Sequence, residues 1–282
     1  MLTAHRARES AARRSRPGRR ASGDGRQRRT DSGRGDVTVD SLTFVGESLF
    51  GPAATVDELL RALDATEIER AVVCPLRPQS YRLEDANDAV AAAVGRHPDR
   101  LVGFARVDPN QGDAAAAELA RATGDLGLGG LFLHPWEETF RVHDERVVQL
   151  LDGFALPVIV AAGYPWLSEG AQVGELARRL PEVDVVATNG CQINISGLGQ
   201  TDAELALAAN ANLAVQTTGV YREDFLEGVV EWFGAERLLY ASGFPYFDPR
   251  LEVLRARWAP GFDDRTKAVV LGGNAERLFH LE

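Results

Sequence analysis

The sequence predicts a single (β/α)8 TIM barrel over residues 36–282, preceded by an arginine-rich tail over residues 1–35. From residue 36 onward, short apolar runs alternate with stretches of helical periodicity, and eight such units fill the length that one barrel of this kind usually needs. A doubly wound open sheet is the competing α/β fold, and it usually carries a glycine-rich phosphate turn after an early strand. The first strand is instead followed by Gly46-Glu47-Ser48, so the sequence favours the barrel.

Each strand is predicted from a short apolar run, and each helix from apolar residues at helical spacing. The eight strands are expected at Val37–Val45, Arg70–Cys74, Leu101–Val107, Gly130–His134, Pro157–Ala161, Val183–Ala187, Leu213–Thr217 and Leu238–Ala241. The helices that follow them are expected at Val56–Leu63 (capped by Thr55), Leu83–Gly95, Gln111–Thr123, Asp144–Leu151, Ser168–Leu180, Asp202–Ala209, Arg222–Trp232 and Arg250–Trp258. Two further helices, Asp263–Val270 and Asn274–Phe279, are expected to close the chain.

Composition and charge exclude several classes of function. The chain has 282 residues, of which 45% are hydrophobic and 26% charged, as is usual for a soluble globular protein. Its two cysteines do not suggest a disulfide framework, so we expect a reducing, cytoplasmic location. No apolar run approaches the roughly 18 to 20 residues that span a membrane. The net charge of −10 divides into +8 on residues 1–35 and −18 on the rest, and a barrel that acidic is not expected to bind nucleic acid.

The tail over residues 1–35 is rich in arginine, serine and glycine and has almost no apolar periodicity, so it is predicted to be disordered. A nucleic-acid-binding arm, an organelle transit peptide and an extension without a role are the three hypotheses for it.

The last predicted strand leads into Ser242-Gly243-Phe244-Pro245, which resembles the last-strand signature of the amidohydrolase-related metal-dependent hydrolases. That family also contains decarboxylases and lactonases, and the resemblance implies its barrel fold. Four further stretches resemble the family in the same order: 63–72, 98–109, 127–135 and 272–279. Within the first of them, Glu67 takes the place of a glycine in the family pattern.

The resemblance also implies a metal site, but the sequence departs from the family pattern where the ligands are expected. In the family, the first strand ends in Asp-x-His-x-His, the fifth and sixth strands end in histidine, and the eighth carries an aspartate after its serine. Those places here hold Leu42, Phe44, Ala161, Thr188 and Gly243, and Phe132 occupies a place where the family can carry a metal-bridging lysine. Because a catalytic zinc needs about three protein ligands, the sequence predicts no metal and no other cofactor.

Polar residues at the ends of the predicted strands are the remaining candidates, because barrel active sites form at the carboxyl ends of the strands. His134 is the only one of the five histidines expected there, and it is either a general acid or base or a hydrogen-bonded residue of the Pro135-Trp136 turn. Arg106 either binds a substrate carboxylate or pairs with Asp108 or another acidic residue. The expected substrate-binding residues are Thr43, Thr188, Asn189, Thr217 and Tyr246.

Two hypotheses for function remain open at this point. In the first, the protein is a non-catalytic relative that binds a small-molecule ligand or pairs with an active homologue; under either hypothesis, the resemblance suggests a homodimer. In the second, it is a metal-independent hydrolase or lyase, related to decarboxylases or lactonases, that acts on a small carboxylate or aromatic substrate. A cavity shared by His134 and Arg106 would favour the enzyme, whereas a cavity filled by Leu42, Phe44 and Phe132 would favour the binding protein.

Overall fold

Parallel pairing connects neighbouring strands around a barrel in the computed structural model, which describes residues 37–193, 197–220 and 222–281. The strands are β1 (Val39–Glu47), β2 (Ala53–Ala54), β3 (Arg70–Pro75), β4 (Leu101–Gly103), β5 (Ala105–Arg106), β6 (Leu131–Leu133), β7 (Val158–Val160), β8 (Val185–Ala187), β9 (Leu213–Gln216) and β10 (Leu238–Leu239). β1, β3 and β4 pair in one parallel run and β5 to β10 in another, while β2 adds to the end of β1 in the antiparallel direction. The expected α/β barrel is confirmed.

The two runs of strands are joined at the third predicted strand, which the sequence places at residues 101–107. The structure divides it into β4 and β5 at Phe104. The backbone N–H of Phe104 donates to the carbonyl of Val73 on one side, and that of Ala105 donates to the carbonyl of Gly130 on the other, at 3.0 and 2.8 Å. The division therefore marks a change of hydrogen-bonding partner within one continuous stretch of chain.

The barrel closes between β1 and the chain that follows β10. The backbone N–H of Ser41 donates to the carbonyl of Tyr240 at 3.0 Å, and that of Phe44 donates to the carbonyl of Phe244 at 2.8 Å. The side chain of Gln216 on β9 also reaches across and donates to the carbonyl of Ser41 at 3.0 Å. These bonds satisfy the backbone groups that an open sheet would leave unpaired at its edges.

The helices surround the barrel close to the predicted positions. They are α1 (Val56–Thr66), α2 (Leu83–Arg96), α3 (Asp113–Gly124), α4 (Glu145–Leu150), α5 (Gly170–Arg179), α6 (Gly197–Ala209), α7 (Glu223–Phe233), α8 (Pro249–Trp258), α9 (Asp264–Ala268) and α10 (Asn274–Leu278). Thr55 caps α1 as expected: its hydroxyl accepts from the N–H of Glu58, and the Glu58 carboxylate accepts from the N–H of Thr55.

A π-helical turn, Val269–Gly273, joins α9 to α10, where the sequence predicts a helix running to Val270. The chain passes so close to β1 here that a Cβ on Gly272 would lie 1.7 Å from the carbonyl oxygen of Val37. Just beyond, the Asn274 amide donates to the carbonyl of Leu238 at 2.7 Å and thereby fixes the closing helix to β10. These two contacts explain the glycine and the asparagine of the closing motif.

Apolar side chains fill the barrel interior, among them Phe104, Phe132, Ile159, Val186 and Leu239, all of which are buried. A second and larger apolar cluster lies between the strands and the surrounding helices. The strands are therefore buried on both faces, as their continuous apolar runs predict.

Residues 1–35, predicted to be a disordered tail, lie outside the described residues. Within the described ranges, no helix combines the length and the apolar character that crossing a membrane requires.

Candidate active site

A cavity of about 260 Å³ opens at the carboxyl ends of the strands. Its floor is apolar and is formed by Leu42, Phe44, Phe132 and Ala161. Polar side chains form much of its wall: His134, Glu137, Tyr164, Thr188, Asn189 and Tyr246. The Phe44 ring meets the Phe132 and Tyr246 rings edge to face, with centroids 5.2 and 5.4 Å apart. The shape is that of a small-molecule site in which aromatic rings surround a few convergent polar groups.

Two arginines and two glutamates form a buried ionic cluster behind one wall of this cavity. Arg106 on β5 is fully buried, and its Nη2 donates to Glu137 Oε2 at 2.5 Å and to Glu138 Oε1 at 2.7 Å. Arg77, in the loop after β3, donates to the same Glu138 oxygen at 2.7 Å. The cluster therefore pairs two arginines with two glutamates. Such pairing is needed because a charged side chain that is shielded from water is costly unless it has a partner of opposite charge.

His134, just beyond β6, is held in one tautomer by the backbone that follows it. The N–H of Glu137 donates to its Nδ1 at 3.2 Å, so Nδ1 is an acceptor and the ring proton lies on Nε2. Burial, together with the nearby positive charges of Arg106 and Arg77, holds the pKa of His134 well below its usual range. A neutral imidazole with an Nε2–H is therefore exposed to the cavity.

The carboxylate of Glu137 is oriented by Arg106 so that its second oxygen, Oε1, faces the cavity side. Tyr246 donates its hydroxyl to Oε1 at 3.3 Å, and His134 Nε2 lies 3.6 Å from it. The Tyr164 hydroxyl lies 3.5 Å from His134 Nε2. Burial and the charge of Glu137 raise the pKa of Tyr164 to about 12, and the same two effects raise the pKa of Tyr246. At neutral pH the wall therefore offers one carboxylate, one imidazole N–H and two phenol hydroxyls.

A sequence model of the amidohydrolase family matches residues 46–281. The chain belongs to the amidohydrolase family. This membership confirms the resemblance identified from the sequence.

Similar proteins include decarboxylases of aromatic acids. The chain is 30% identical over 92 residues to the gamma-resorcylate decarboxylase of Rhizobium radiobacter, a match that spans 29% of this chain and 28% of that relative. The crystal structure of a 2,6-dihydroxybenzoate decarboxylase from Rhizobium matches with a TM-score of 0.69 and 18% identity, over 87% of this chain and 99% of that one. A 5-carboxyvanillate decarboxylase from Novosphingobium aromaticivorans, solved with manganese and 4-hydroxy-3-methoxy-5-nitrobenzoic acid, matches with a TM-score of 0.66 and 16% identity, over 86% and 96% of the two chains. At these identities the structural matches establish the fold that this amidohydrolase shares with them.

The five positions that the sequence resemblance assigns to metal ligands all line the cavity of this amidohydrolase. They hold Leu42, Phe44, Ala161, Thr188 and Gly243. Of these only Thr188 has a side-chain oxygen, and that oxygen already accepts from the N–H of Ala162 at 3.0 Å. The lining contributes two side chains of ligand type, His134 and Glu137, and no group of three or more such residues in the described part of the chain is placed to hold a metal ion. The donor set therefore does not fit a catalytic metal, which needs about three protein ligands.

The resemblance places an aspartate of the family at Gly243, where the structure leaves little room for a side chain. Its φ is +67°, and a Cβ built there would lie 2.6 Å from Thr218 Oγ1. A side chain at this place would be strained by the backbone conformation and would overlap a neighbouring hydroxyl.

The structure brings four of the seven predicted site residues to the cavity: His134, Thr188, Asn189 and Tyr246. Arg106 does not line it. Arg106 instead forms an ion pair, which was the alternative hypothesis, and its partners are Glu137 and Glu138. Asp108, the partner named from the sequence, caps a short 3-10 turn.

Thr43 and Thr217 lie outside the cavity. The Thr43 hydroxyl donates to the carbonyl of Val72 at 2.8 Å, and the Thr217 hydroxyl accepts from the N–H of Ala241 at 3.1 Å. Side chains alternate along a strand, so Thr43 points away from the face that Leu42 and Phe44 occupy. The same alternation brings Thr218, rather than Thr217, to the cavity.

Sequence reasoning missed Glu137, Glu138 and Arg77. Two adjacent acidic residues three and four positions after His134, together with an arginine near the end of the preceding predicted strand, were the available signal. A buried guanidinium needs a carboxylate partner, and the loop at the end of the neighbouring strand is the nearest place for one.

Proposed function

We propose that this amidohydrolase is a metal-independent hydrolase or lyase that acts on a small aromatic compound by acid–base catalysis. The observation that supports this most directly is the position of Glu137 Oε1, which faces the cavity with the Tyr246 hydroxyl at 3.3 Å and His134 Nε2 at 3.6 Å. A fixed carboxylate beside neutral hydrogen-bond donors can accept a proton and stabilise the negative charge that develops on the substrate.

Glu137 is the proposed general base. Its carboxylate is held from behind by Arg106 and from the side by Tyr246, so its orientation is set before a ligand arrives. It would accept a proton from a ring hydroxyl of the substrate or from a water molecule bound beside it.

His134 and Tyr164 are the proposed donors to the developing negative charge. The imidazole presents Nε2–H and the phenol its O–H, 3.5 Å apart, so an oxygen between the two would receive two hydrogen bonds. Removing one donor of this kind typically costs about 10² to 10³ in kcat. Arg106 touches no substrate in this scheme and acts by positioning Glu137.

The aromatic nature of the substrate is inferred from the lining. Phe44, Phe132 and Tyr246 present ring edges and faces to the same space, and a planar ligand can pack against them. The decarboxylases to which the chain is similar act on hydroxylated aromatic acids by name, which supports an aromatic substrate here.

The test is turnover of the purified full chain with three sets of substrates: hydroxylated benzoates, their methyl esters and aromatic lactones. We expect one set to be converted, with rates unchanged by a metal chelator and at least about 10²-fold lower in Glu137→Gln. Loss of activity on chelation would show that a metal carries the reaction. An undiminished rate in Glu137→Gln would show that another group is the base.

A non-catalytic ligand-binding role is the second candidate. Two observations favour it: Arg106 does not share the cavity with His134, and the floor of the cavity is apolar. Leu42, Phe44 and Phe132 line the floor and have no group that can transfer a proton, so such groups are confined to one wall of the cavity. Saturable binding of an aromatic ligand, without conversion of any compound in the three sets, would support this role over the enzyme.

A further inference from the structure

We propose that the cavity selects an uncharged aromatic ligand that donates a hydroxyl to Glu137, and that it excludes aromatic carboxylates. This proposal rests on the proposed function, since it assigns the substrate class of the same site. It separates this protein from the decarboxylases that it resembles, whose names describe substrates with a free carboxylate.

The lining of the cavity is the first observation. Among the described residues that form it, none is lysine or arginine, and Glu137 is its one acidic residue. A bound carboxylate gives up its hydration and needs a cation or several hydrogen-bond donors in return. The floor beneath the site, formed by Leu42, Phe44, Phe132 and Ala161, provides neither. The wall does hold donors, but His134 Nε2 and the Tyr246 hydroxyl lie 3.6 and 3.3 Å from Glu137 Oε1, so a ligand carboxylate that reached them would stand beside a like charge.

The two nearby arginines do not supply that cation. Arg106 is fully buried and is engaged by Glu137 and Glu138, and Arg77 is engaged by Glu138 and by the carbonyl of Glu137. Neither arginine is part of the lining. A ligand that enters the cavity therefore meets Glu137 Oε1 first and the guanidinium of Arg106 only behind it.

Glu137 Oε1 is suited to a ligand that donates a hydrogen bond. It receives one long bond from Tyr246 at 3.3 Å, and a carboxylate oxygen can accept more than one. A phenol hydroxyl placed against it forms a charge-assisted hydrogen bond, whereas a second carboxylate placed there is repelled.

Ester or lactone hydrolysis is the reaction that fits a ligand of this class. Glu137 takes a proton from water, the resulting oxygen nucleophile bonds to the carbonyl carbon, and the carbonyl oxygen becomes an oxyanion between His134 Nε2–H and the Tyr164 hydroxyl. The bond from carbon to the leaving oxygen then breaks, and the leaving oxygen takes the proton that Glu137 holds. The acid product loses its proton to solvent, and as an anion beside Glu137 it is driven out of the cavity.

Dihydroxylated aromatic ligands with and without a free carboxylate test the proposal. Binding of 2,6-dihydroxyacetophenone, which has no ester bond to hydrolyse, of resorcinol and of 2,6-dihydroxybenzoate to the full chain is measured by titration calorimetry at pH 7.5. We expect both neutral compounds to bind at least about tenfold more tightly than the carboxylate. Glu137→Gln removes the repelling charge at constant shape, and should abolish this preference or reverse it. Glu175→Gln, which removes an exposed carboxylate of α5 paired with Arg178, is the matched control and should bind all three as the unaltered protein does.

The outcomes separate this inference from the proposed function. Tighter binding of the carboxylate than of 2,6-dihydroxyacetophenone by the unaltered protein overturns the charge selection and leaves the aromatic site in place. A preference for the neutral ligands that persists in Glu137→Gln overturns the role of Glu137 as the selecting charge. Failure of all three compounds to bind overturns the aromatic site itself, and the proposed function with it.

Discussion

The backbone N–H of Glu137 donates to Nδ1 of His134 at 3.2 Å, so the residue that carries the cavity carboxylate also fixes the tautomer of the neighbouring imidazole. The bond places the ring proton on Nε2, beside Tyr164 and Glu137 Oε1. Burial and the positive charge of Arg106 keep the ring neutral. The role of His134 in this arrangement is that of a hydrogen-bond donor at neutral pH.

Two variants of His134 test the roles of its two ring nitrogens separately. His134→Asn keeps an acceptor near the place of Nδ1 and loses the Nε2–H, so we expect the fold to persist and turnover to fall by about 10² or more. His134→Gln keeps a donor near the place of Nε2 and should lose less. Turnover and thermal unfolding of both are compared with those of His280→Asn, an exposed control. Equal turnover in His134→Asn and the unaltered protein would make the imidazole a structural group only.

Burial and the charges of Arg106 and Arg77 predict how His134 titrates. Because they hold its pKa well below the usual value near 6.5, the ring should remain neutral from pH 8 down to pH 6.5, where a free imidazole is half protonated. The ¹⁵N shifts of its ring should show a protonated Nε2 throughout that range, and a titration midpoint near 6.5 would contradict the assignment.

Arg106 is expected to be a main support of the site wall. Arg106→Met leaves Glu137 and Glu138 without their shared partner in a buried place, and should lower the free energy of unfolding by about 3 to 5 kcal/mol. Adding Glu138→Gln to this variant removes one uncompensated charge and should recover part of the loss. Arg178→Ala, which removes an exposed ion pair with Glu175, is the control and should change little. Urea denaturation measures all three, and a loss in Arg106→Met below about 1 kcal/mol would show that the cluster is not a stabilising unit.

Where the chain ends each strand was predictable from the sequence, and residues from several strand ends that the resemblance grouped together do line one cavity. Leu42, Phe44, Ala161 and Gly243 come from three separate strands or their ends, and all four line one cavity. Glu67 illustrates the same point outside the site: it stands where the family has glycine, and its φ is +57°, a left-handed conformation that glycine adopts without strain.

The chemical part of the site was less predictable, because it depends on loops. Glu137 lies in the turn after β6, and neither strand nor helix periodicity specifies the direction of a side chain there. Its ion pair with Arg106 links β5 to the turn after the neighbouring strand β6. This pair can be inferred from the sequence only by asking which acidic residue neutralises the buried arginine. The outward orientation of Thr43 could have been predicted from the sequence. Its neighbours Leu42 and Phe44 face the barrel interior, and side chains alternate along a strand.

Metal content is a direct test of the prediction that the cavity holds no catalytic metal. Protein purified without chelator and then dialysed should hold well under one equivalent of zinc, manganese or iron, because the cavity supplies His134 and Glu137 and Glu137 is already paired with Arg106. Gly243→Asp should lower the melting temperature without creating a metal site, since its φ of +67° and the contact with Thr218 oppose any side chain. Stoichiometric metal that survives dialysis would mean that other donors complete a site.

Asp40 on β1 carries a buried carboxyl group whose two oxygens differ. Oδ1 accepts from the N–H of Ser242 at 2.8 Å and from the N–H of Leu42 at 3.2 Å, whereas Oδ2 has no partner among the described residues. Burial raises the pKa of Asp40 from 3.8 to about 7, against the opposing effect of the hydrogen bonds from Ser242. The folded protein therefore holds this proton over a pH range in which the unfolded chain has released it.

The difference between the pKa of Asp40 in the folded chain and in the unfolded chain determines how the stability of the protein changes with pH. Between about pH 4 and pH 7 the folded state binds more protons at Asp40 than the unfolded state does, so its contribution to stability falls as pH rises and is constant above that range. Asp40→Asn keeps the Oδ1 acceptor and removes the titration. Relative to the unaltered protein, the variant should gain on the order of 2 to 4 kcal/mol in unfolding free energy between pH 4 and pH 8, at about 1.4 kcal/mol per unit of pKa shift. Urea denaturation of both proteins at several pH values measures the difference, and a difference that does not change with pH would show that Asp40 titrates alike in the folded and unfolded chain.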